Sequence, residues 1–225
     1  MTIFLKYQRA LLKRVFFIGG FFYGLSCAPC IALELALKDD NLRNCAQQAA
    51  DKNHWQTATE FTALECHNQN IASVEGIEQF VNIEKLSLYN NNLSSFPALN
   101  LPKLNFLNIA KNKLPQLKLK DYPALESFFA FGNQLSTLDL SNLPNLKSFK
   151  ANNNQITDFI YKDLPALEKI YMFDNKMVTI DIYRLPKMNY MDVRQNPMPD
   201  KLYEDMDKLK GVTFLHNGNT RDWHQ

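Results

Sequence analysis

Asparagine recurs in this chain at a fixed step. Asn91, Asn112, Asn133, Asn154, Asn175, Asn196 and Asn217 each stand 21 residues after the last, and Gln69 takes the same place one step of 22 earlier. Seven hits in register mean a tandem array, in which each unit stacks on the next and shares a continuous core with it. Such an array is quasi-one-dimensional: its contacts are between neighbours in sequence, and its two ends need caps.

The residues around each Asn give the unit its shape. Leu86 and Leu88, Leu107 and Ile109, Phe128 and Ala130, Phe149 and Ala151, Ile170 and Met172, Met191 and Val193, and Val212 and Phe214 are apolar pairs two residues apart. That spacing predicts one short strand per coil with a single buried face, and strands repeated at one step stack into a parallel sheet. The Asn follows the strand where the chain turns inward. Its amide offers two donors and an acceptor to turn backbone that stacking would otherwise leave unpaired, so the ladder reads as structural and not as a ligand or catalytic series.

The second half of each unit repeats the phrase. Leu135-x-x-Leu138-Asp139-Leu140-x-x-Leu143-Pro144 and Met177-x-x-Ile180-Asp181-Ile182-x-x-Leu185-Pro186 follow their Asn residues, so the convex side is expected to be extended and not a long helix. Over roughly 91–196 the chain resembles the 21-residue bacterial leucine-rich repeats of consensus L-x-x-L-x-L-x-x-N-x-L-x-x-L-D-L-x-x-L-P. The first unit departs from it: Ile71, Val74, Ile77 and Phe80 look like the 22-residue internalin-type repeat with a short helical convex segment. The resemblance implies a leucine-rich-repeat solenoid of the α/β repeat class, mostly β, with about eight coils, a concave parallel sheet and an N-terminal helical cap. It further implies a protein-binding scaffold in secreted or surface proteins of bacteria, and it carries no catalytic residue with it.

The expected organisation is a targeting segment at 1–32, an N-terminal cap at 33–60, repeats at 61–217 and a tail at 218–225. Lys6, Arg9, Lys13 and Arg14 precede an uncharged apolar run from Val15 to Leu33, the order of a secretory signal. Cleavage after Ala32, retention as a membrane anchor and lipidation at Cys27 are the three outcomes compatible with that stretch. Only the last two bring a membrane into play. Cys27 and Cys30 spell C-x-x-C inside the apolar run and read as incidental. The segment holds four cations and no acid, so the formal charge of +2 for the whole chain leaves −2 for the remainder. That balance gives no electrostatic case for nucleic acid.

In the cap, Asp39, Asp40 and Asn41 are helix starts, and Leu42, Cys45, Ala46 and Ala49 share one helical face. The face is expected to cover the open end of the first coil, where Cys66 points inward. Cys45 and Cys66 are thereby brought together, and in an exported chain they form a disulfide; the alternative is two buried free thiols. At the other end, Leu202, Met206 and Leu209 suggest a short amphipathic helix within 200–209, after which a final strand and Trp223 close the array. His54, His67, His216 and His224 lack metal-ligand spacing, and neither a nucleophile elbow nor a phosphate loop is present in the sequence. The sequence thus points to no cofactor, no metal and no enzyme, with no room for an appended catalytic domain, and to a monomeric protein that is secreted, periplasmic or on the cell surface.

What varies between coils is the outward residue set on the strands. Tyr89, Phe106, Phe129, Phe131, Tyr171, Phe173 and Tyr190 are expected to face solvent there. Phe106 and Tyr190 are four coils apart, about 19 Å at a strand spacing of ~4.8 Å. Lys150 and Asn152 fall between the pairs Phe129–Phe131 and Tyr171–Phe173, a polar centre between rings. A patch of this size and composition predicts a hot spot for a protein partner. Aromatic rings also stack on sugars, so a glycan-binding surface is the second reading, and an adhesive or structural spacer the third.

Overall fold

The computed structural model describes residues 33–218, and these form a parallel-sheet solenoid. Its main sheet contains eight short strands in the order β1 (Ala63–Glu65), β2 (Lys85–Ser87), β3 (Phe106–Asn108), β5 (Ser127–Phe129), β7 (Ser148–Lys150), β9 (Lys169–Tyr171), β10 (Tyr190–Asp192) and β11 (Thr213–Leu215). The other side carries a three-stranded sheet of β4 (Gln116–Lys120), β6 (Thr137–Ser141) and β8 (Asp158–Lys162). All pairings are parallel, so each coil presents the same position to the next: Leu64, Leu86, Leu107, Phe128, Phe149, Ile170 and Met191 form one inward column. Every member of that column is buried.

The Asn ladder is the polar spine of this core. Asn133 is typical: its Oδ1 accepts from the Leu114 N–H at 3.1 Å, and its Nδ2 donates to the carbonyls of Ile109 and Ala130, both at 3.0 Å. The same three-way linkage recurs at Asn112, Asn154, Asn175 and Asn196, and Asn91 makes an equivalent set. Each amide ties its own coil to the one before, and among the described residues no buried side-chain nitrogen or oxygen lacks a partner.

Two members of the sequence series are not rungs. Gln69 is exposed, and only its backbone N–H meets the ladder, at Asn91 Oδ1. Asn217 is also exposed and accepts from the Gln195 N–H at 2.7 Å. The reason lies in the last coil, where Met191 pairs with Phe214 and not with Val212, a step of 23. Helix α2 (Asp200–Lys208) replaces the extended convex segment there. A helix advances ~1.5 Å per residue against ~3.3 Å for a strand, so crossing the same width takes more residues. Thr213 therefore takes the column expected for Gly211, and Leu215 the column expected for Thr213. Within α2 Tyr203 and Met206 are buried in the core, and Leu202, with Leu209 at the helix end, packs against it. The Tyr203 hydroxyl donates to the Asn196 carbonyl at 2.8 Å, a role the spacing of Leu202, Met206 and Leu209 did not suggest.

The convex side follows the doubled phrase in three coils only. In the first repeat a 3-10 turn, Ile77–Gln79, takes the place of a strand, as the internalin-like spacing implied. In the second, Pro97 interrupts the extended run, since it has no N–H to give a ladder. In the coil carrying Ile180-Asp181-Ile182 no strand forms. There Asp181 instead folds back, taking the Tyr183 N–H at 2.9 Å and pairing with Arg184.

Helix α1 (Asp40–Asn53) caps the first coil with Leu42, Ala46 and Ala50 buried against it. One carboxylate fixes it at both levels: Asp39 Oδ1 accepts from the Leu42 N–H at 3.0 Å, the helix N-cap, and Oδ2 accepts from the N–H groups of Ala72 and Ser73 at 2.8 and 3.2 Å. Gly76 (φ +93°) lets the incoming chain pass close by, because a Cβ there would lie 2.0 Å from the Ala36 carbonyl oxygen. Cys45 and Cys66 are joined as a disulfide between α1 and the first coil. The two are 21 residues apart in sequence, and closing a loop of that size stabilises by about 3 kcal/mol in the chain-entropy account. Reduction should lower the urea-extrapolated unfolding free energy by about that amount and add two hydrogens to the intact mass. Labelling of both thiols in the native, unreduced protein would refute the linkage. The targeting segment, Cys27, Cys30, Trp223 and His224 lie outside the described residues.

Candidate functional site

The main sheet turns its second face outward, and the parallel register sorts the residues there into columns. The middle column reads Glu65, Ser87, Asn108, Phe129, Lys150, Tyr171, Asp192 and Leu215. On its N-terminal side runs Ala63, Lys85, Phe106, Ser127, Ser148, Lys169, Tyr190 and Thr213. On its C-terminal side, just past each strand, lie His67, Tyr89, Ala110, Phe131, Asn152, Phe173 and Arg194.

All seven rings singled out in the sequence lie on this face, and each is half-buried. They lean on one another. Phe106 meets Phe129 edge to face at 5.3 Å, and Tyr171 tilts against Tyr190 at 5.1 Å. Tyr89 and Phe131 belong to coils two steps apart, a rest distance near ~9.6 Å, yet their centroids are 6.3 Å apart. They have closed over Ala110, which is buried although its position is outward.

Cations occupy the ring faces. Lys150 Nζ sits 5.2 Å from the Phe129 centroid and 5.1 Å from that of Tyr171, held between the two rings of its own column. Lys85 lies over Phe106 at 5.5 Å, Lys111 over Tyr89 at 5.4 Å and Arg194 over Phe173 at 5.8 Å. These separations are within cation–π range. The polar centre expected at Lys150 is thus a lysine clamped by aromatics. The pairing of every ring cluster with its own cation was written in the sequence at offsets of about one coil, but it is legible only once the columns are aligned.

Three outward positions beyond Ala110 are also covered. Ser87 lies under the His67 ring, whose Nε2 is 2.7 Å from Ser87 Oγ. Asn152 is nearly buried beside its neighbour Asn153, with which it is hydrogen-bonded. Asp192, 2% exposed, is gripped by Arg194 through Nε at 2.9 Å and Nη2 at 2.7 Å. At the other end, the Lys85 ammonium 2.5 Å away holds the Glu65 carboxyl below its ordinary range. Burial, and then the Asp192 carboxylate, pushes the Tyr190 hydroxyl above its usual value, so it stays neutral. Among the described residues no three His, Cys, Asp or Glu side chains group as metal ligands, and no helix is long and apolar enough to cross a membrane.

Residues 37–154, just over half of the chain, match the family model described as the leucine-rich-repeat domain of endo-beta-N-acetylglucosaminidase EndoS. No curated protein sequence matches significantly. Among solved structures, internalin C2 of Listeria monocytogenes is 20% identical, with 80% of this chain and 94% of that chain covered and a TM-score of 0.53. YopM, a leucine-rich effector protein of Yersinia pestis, is 21% identical over 69% of this chain and 47% of its own, with a TM-score of 0.54. A Shigella effector leucine-rich-repeat domain is 18% identical over 79% and 88%, with a TM-score of 0.50. At such identities these likenesses establish a shared fold.

Proposed function

Because the chain belongs to the family of the EndoS leucine-rich-repeat domain, we propose that it is an exported, non-enzymatic scaffold that binds a protein partner through its aromatic strand face. Folds of this kind typically serve protein interaction. The observation that carries the reading is the set of seven outward rings, braced by one another and by cations on a single sheet face. Aromatic and Arg side chains held in place lose little freedom on binding and dominate interface energetics. The distinctive side chains here are rings and cations on an open sheet, not acids, bases and nucleophiles converging in a cavity. The EndoS repeat domain is named as part of an endoglycosidase, and for this chain we assign the binding role alone. Export is supported by the basic-then-apolar order of residues 1–32 and by the Cys45–Cys66 disulfide, which favours an oxidising compartment. We assign 1–32 to targeting, 33–60 to the cap, 61–217 to the repeats and 218–225 to a tail, with a monomer as the working unit.

Phe131→Ser with Phe173→Ser tests the face. Both rings are partly buried and Phe131 also covers Ala110, so the pair should cost about 1–2 kcal/mol for each, a loss that leaves the protein folded. Affinity for a partner captured from target-cell lysate should fall by at least ~2 kcal/mol, about thirtyfold. Lys118→Ser with Lys120→Ser, on the opposite sheet, should change neither. A large fall in melting temperature with an unchanged partner profile would return these rings to a packing role.

A further inference from the structure

The charges on the strand face do not balance among themselves. Two of its carboxylates are already engaged with cations, Glu65 with Lys85 and Asp192 with Arg194, and the third, Asp174, in the position of Lys111 three coils on, accepts from the Asn153 amide. Lys111, Lys150 and Lys169 remain, and among the described residues none has a carboxylate within ion-pair distance. Lys150 and Lys111 are held over rings, which fixes them without neutralising them. Lys169 stands in the column between Ser148 and Tyr190. This surplus is local, since the chain beyond residue 32 has a formal charge of −2.

We propose that the occupant of this face is an acidic segment of a partner protein, whose Asp and Glu side chains meet Lys111, Lys150 and Lys169 while its apolar side chains pack between the rings. The inference rests on the strand face being the binding face. The three lysines lie on a diagonal of the face, three coil steps (about 14 Å) along the solenoid and five strand positions (about 16 Å) across it, a distance of about 22 Å that an extended segment covers with about six to seven residues at ~3.3 Å each. Charge complementarity of this kind sets orientation and speeds encounter. The geometry disfavours other occupants. A neutral sugar or a nucleobase needs open ring faces for stacking, and cations lie 5.1–5.8 Å over those of Phe129, Tyr171, Phe106, Tyr89 and Phe173. A nucleic-acid backbone needs a continuous run of cations, and here rings interrupt it.

The test is selection of a random displayed peptide library on the immobilised protein, with a sulfated and neutral glycan array in parallel. Enriched peptides should carry an excess of Asp and Glu interspersed with apolar residues. Their affinity should drop at least ~tenfold in Lys111→Gln/Lys150→Gln/Lys169→Gln, and by a similar factor between 0.05 and 0.5 M salt, where screening is short-ranged. Melting temperature checks the fold of the triple variant. Lys169→Gln, at a lysine whose ammonium is clamped over no ring among the described residues, keeps the test open should the triple variant unfold, with an expected loss of at least ~threefold. Enriched peptides that are neutral or basic, salt-independent binding, absence of enrichment, or binding of sulfated glycans alone would each overturn the proposal. If selected peptides are neutral and fail only on Phe131→Ser/Phe173→Ser, the binding face stands and the acidic partner falls. If they bind that variant and the lysine variants as tightly as the parent, the strand face itself is the wrong surface.

Discussion

Leu107→Ala and Ile170→Ala should each lower the unfolding free energy by about 2–5 kcal/mol. Both side chains are 0% exposed and stand mid-column, Leu107 between Leu86 and Phe128, Ile170 between Phe149 and Met191. Truncation removes buried apolar area and leaves a cavity whose walls belong to three coils. Each coil packs only on its neighbours, so the loss spreads along the array instead of being absorbed by a surrounding globule. Hydrogen exchange should quicken in the flanking strands as well as in the mutated one. Val178→Ala, at a side chain 59% exposed on the other side of the solenoid, is the reference and should change stability by no more than about 0.5 kcal/mol. Urea unfolding decides the matter. Unaltered midpoints in both core variants would mean that the inward and outward parities of the strands are reversed.

The second large effect belongs to the ladder. Asn133→Ala strands the Leu114 N–H within the stacked core and takes one of two amide donors from each of the carbonyls of Ile109 and Ala130, which keep Asn112 and Asn154 respectively. A buried polar group left without a partner costs about 1–3 kcal/mol. With two further hydrogen bonds lost, the net cost should be about 2–4 kcal/mol, within the range of a core truncation although only a small polar side chain is changed. Asn133→Asp separates the two halves of the amide's role. It keeps an acceptor for Leu114 but has no donor for either carbonyl, and it buries a charge. At neutral pH it should be at least as damaging as Ala. The introduced carboxyl is expected to titrate above the unfolded value, so the charge penalty grows as pH rises and is relieved as pH falls through the folded-state value. Asn145→Ala, at an exposed amide with a single bond to the Pro123 carbonyl at 2.7 Å, should cost less than about 1 kcal/mol. An Asn133→Ala protein as stable as the parent would remove the ladder from the stabilising elements.

Sequence by itself determined whatever repeats. The 21-residue step, the inward column from Leu64 to Met191, the six buried Asn rungs from Asn91 to Asn196 and the helical cap over Cys66 were all legible. Each coil meets the same two neighbours, so one rule of spacing applies to all of them. The end of the array was not legible, because Asn217 keeps the period while the strand beside it does not. A helix was readable at 200–209, but how many residues it needs to cross the coil depends on the path it spans. Nor could the sequence show that Ala110, Ser87 and Asp192, at outward positions, are buried. Burial there depends on how far Tyr89, Phe131 and His67 lean across the ~4.8 Å between strands and on Arg194 folding back along its own strand over Asp192, and both are set by side-chain torsions and not by residue order. The same lean brings Lys150 between Phe129 and Tyr171. Strand parity already placed those three side chains on one face, and only the assembled sheet turned them into a clamped cation between rings.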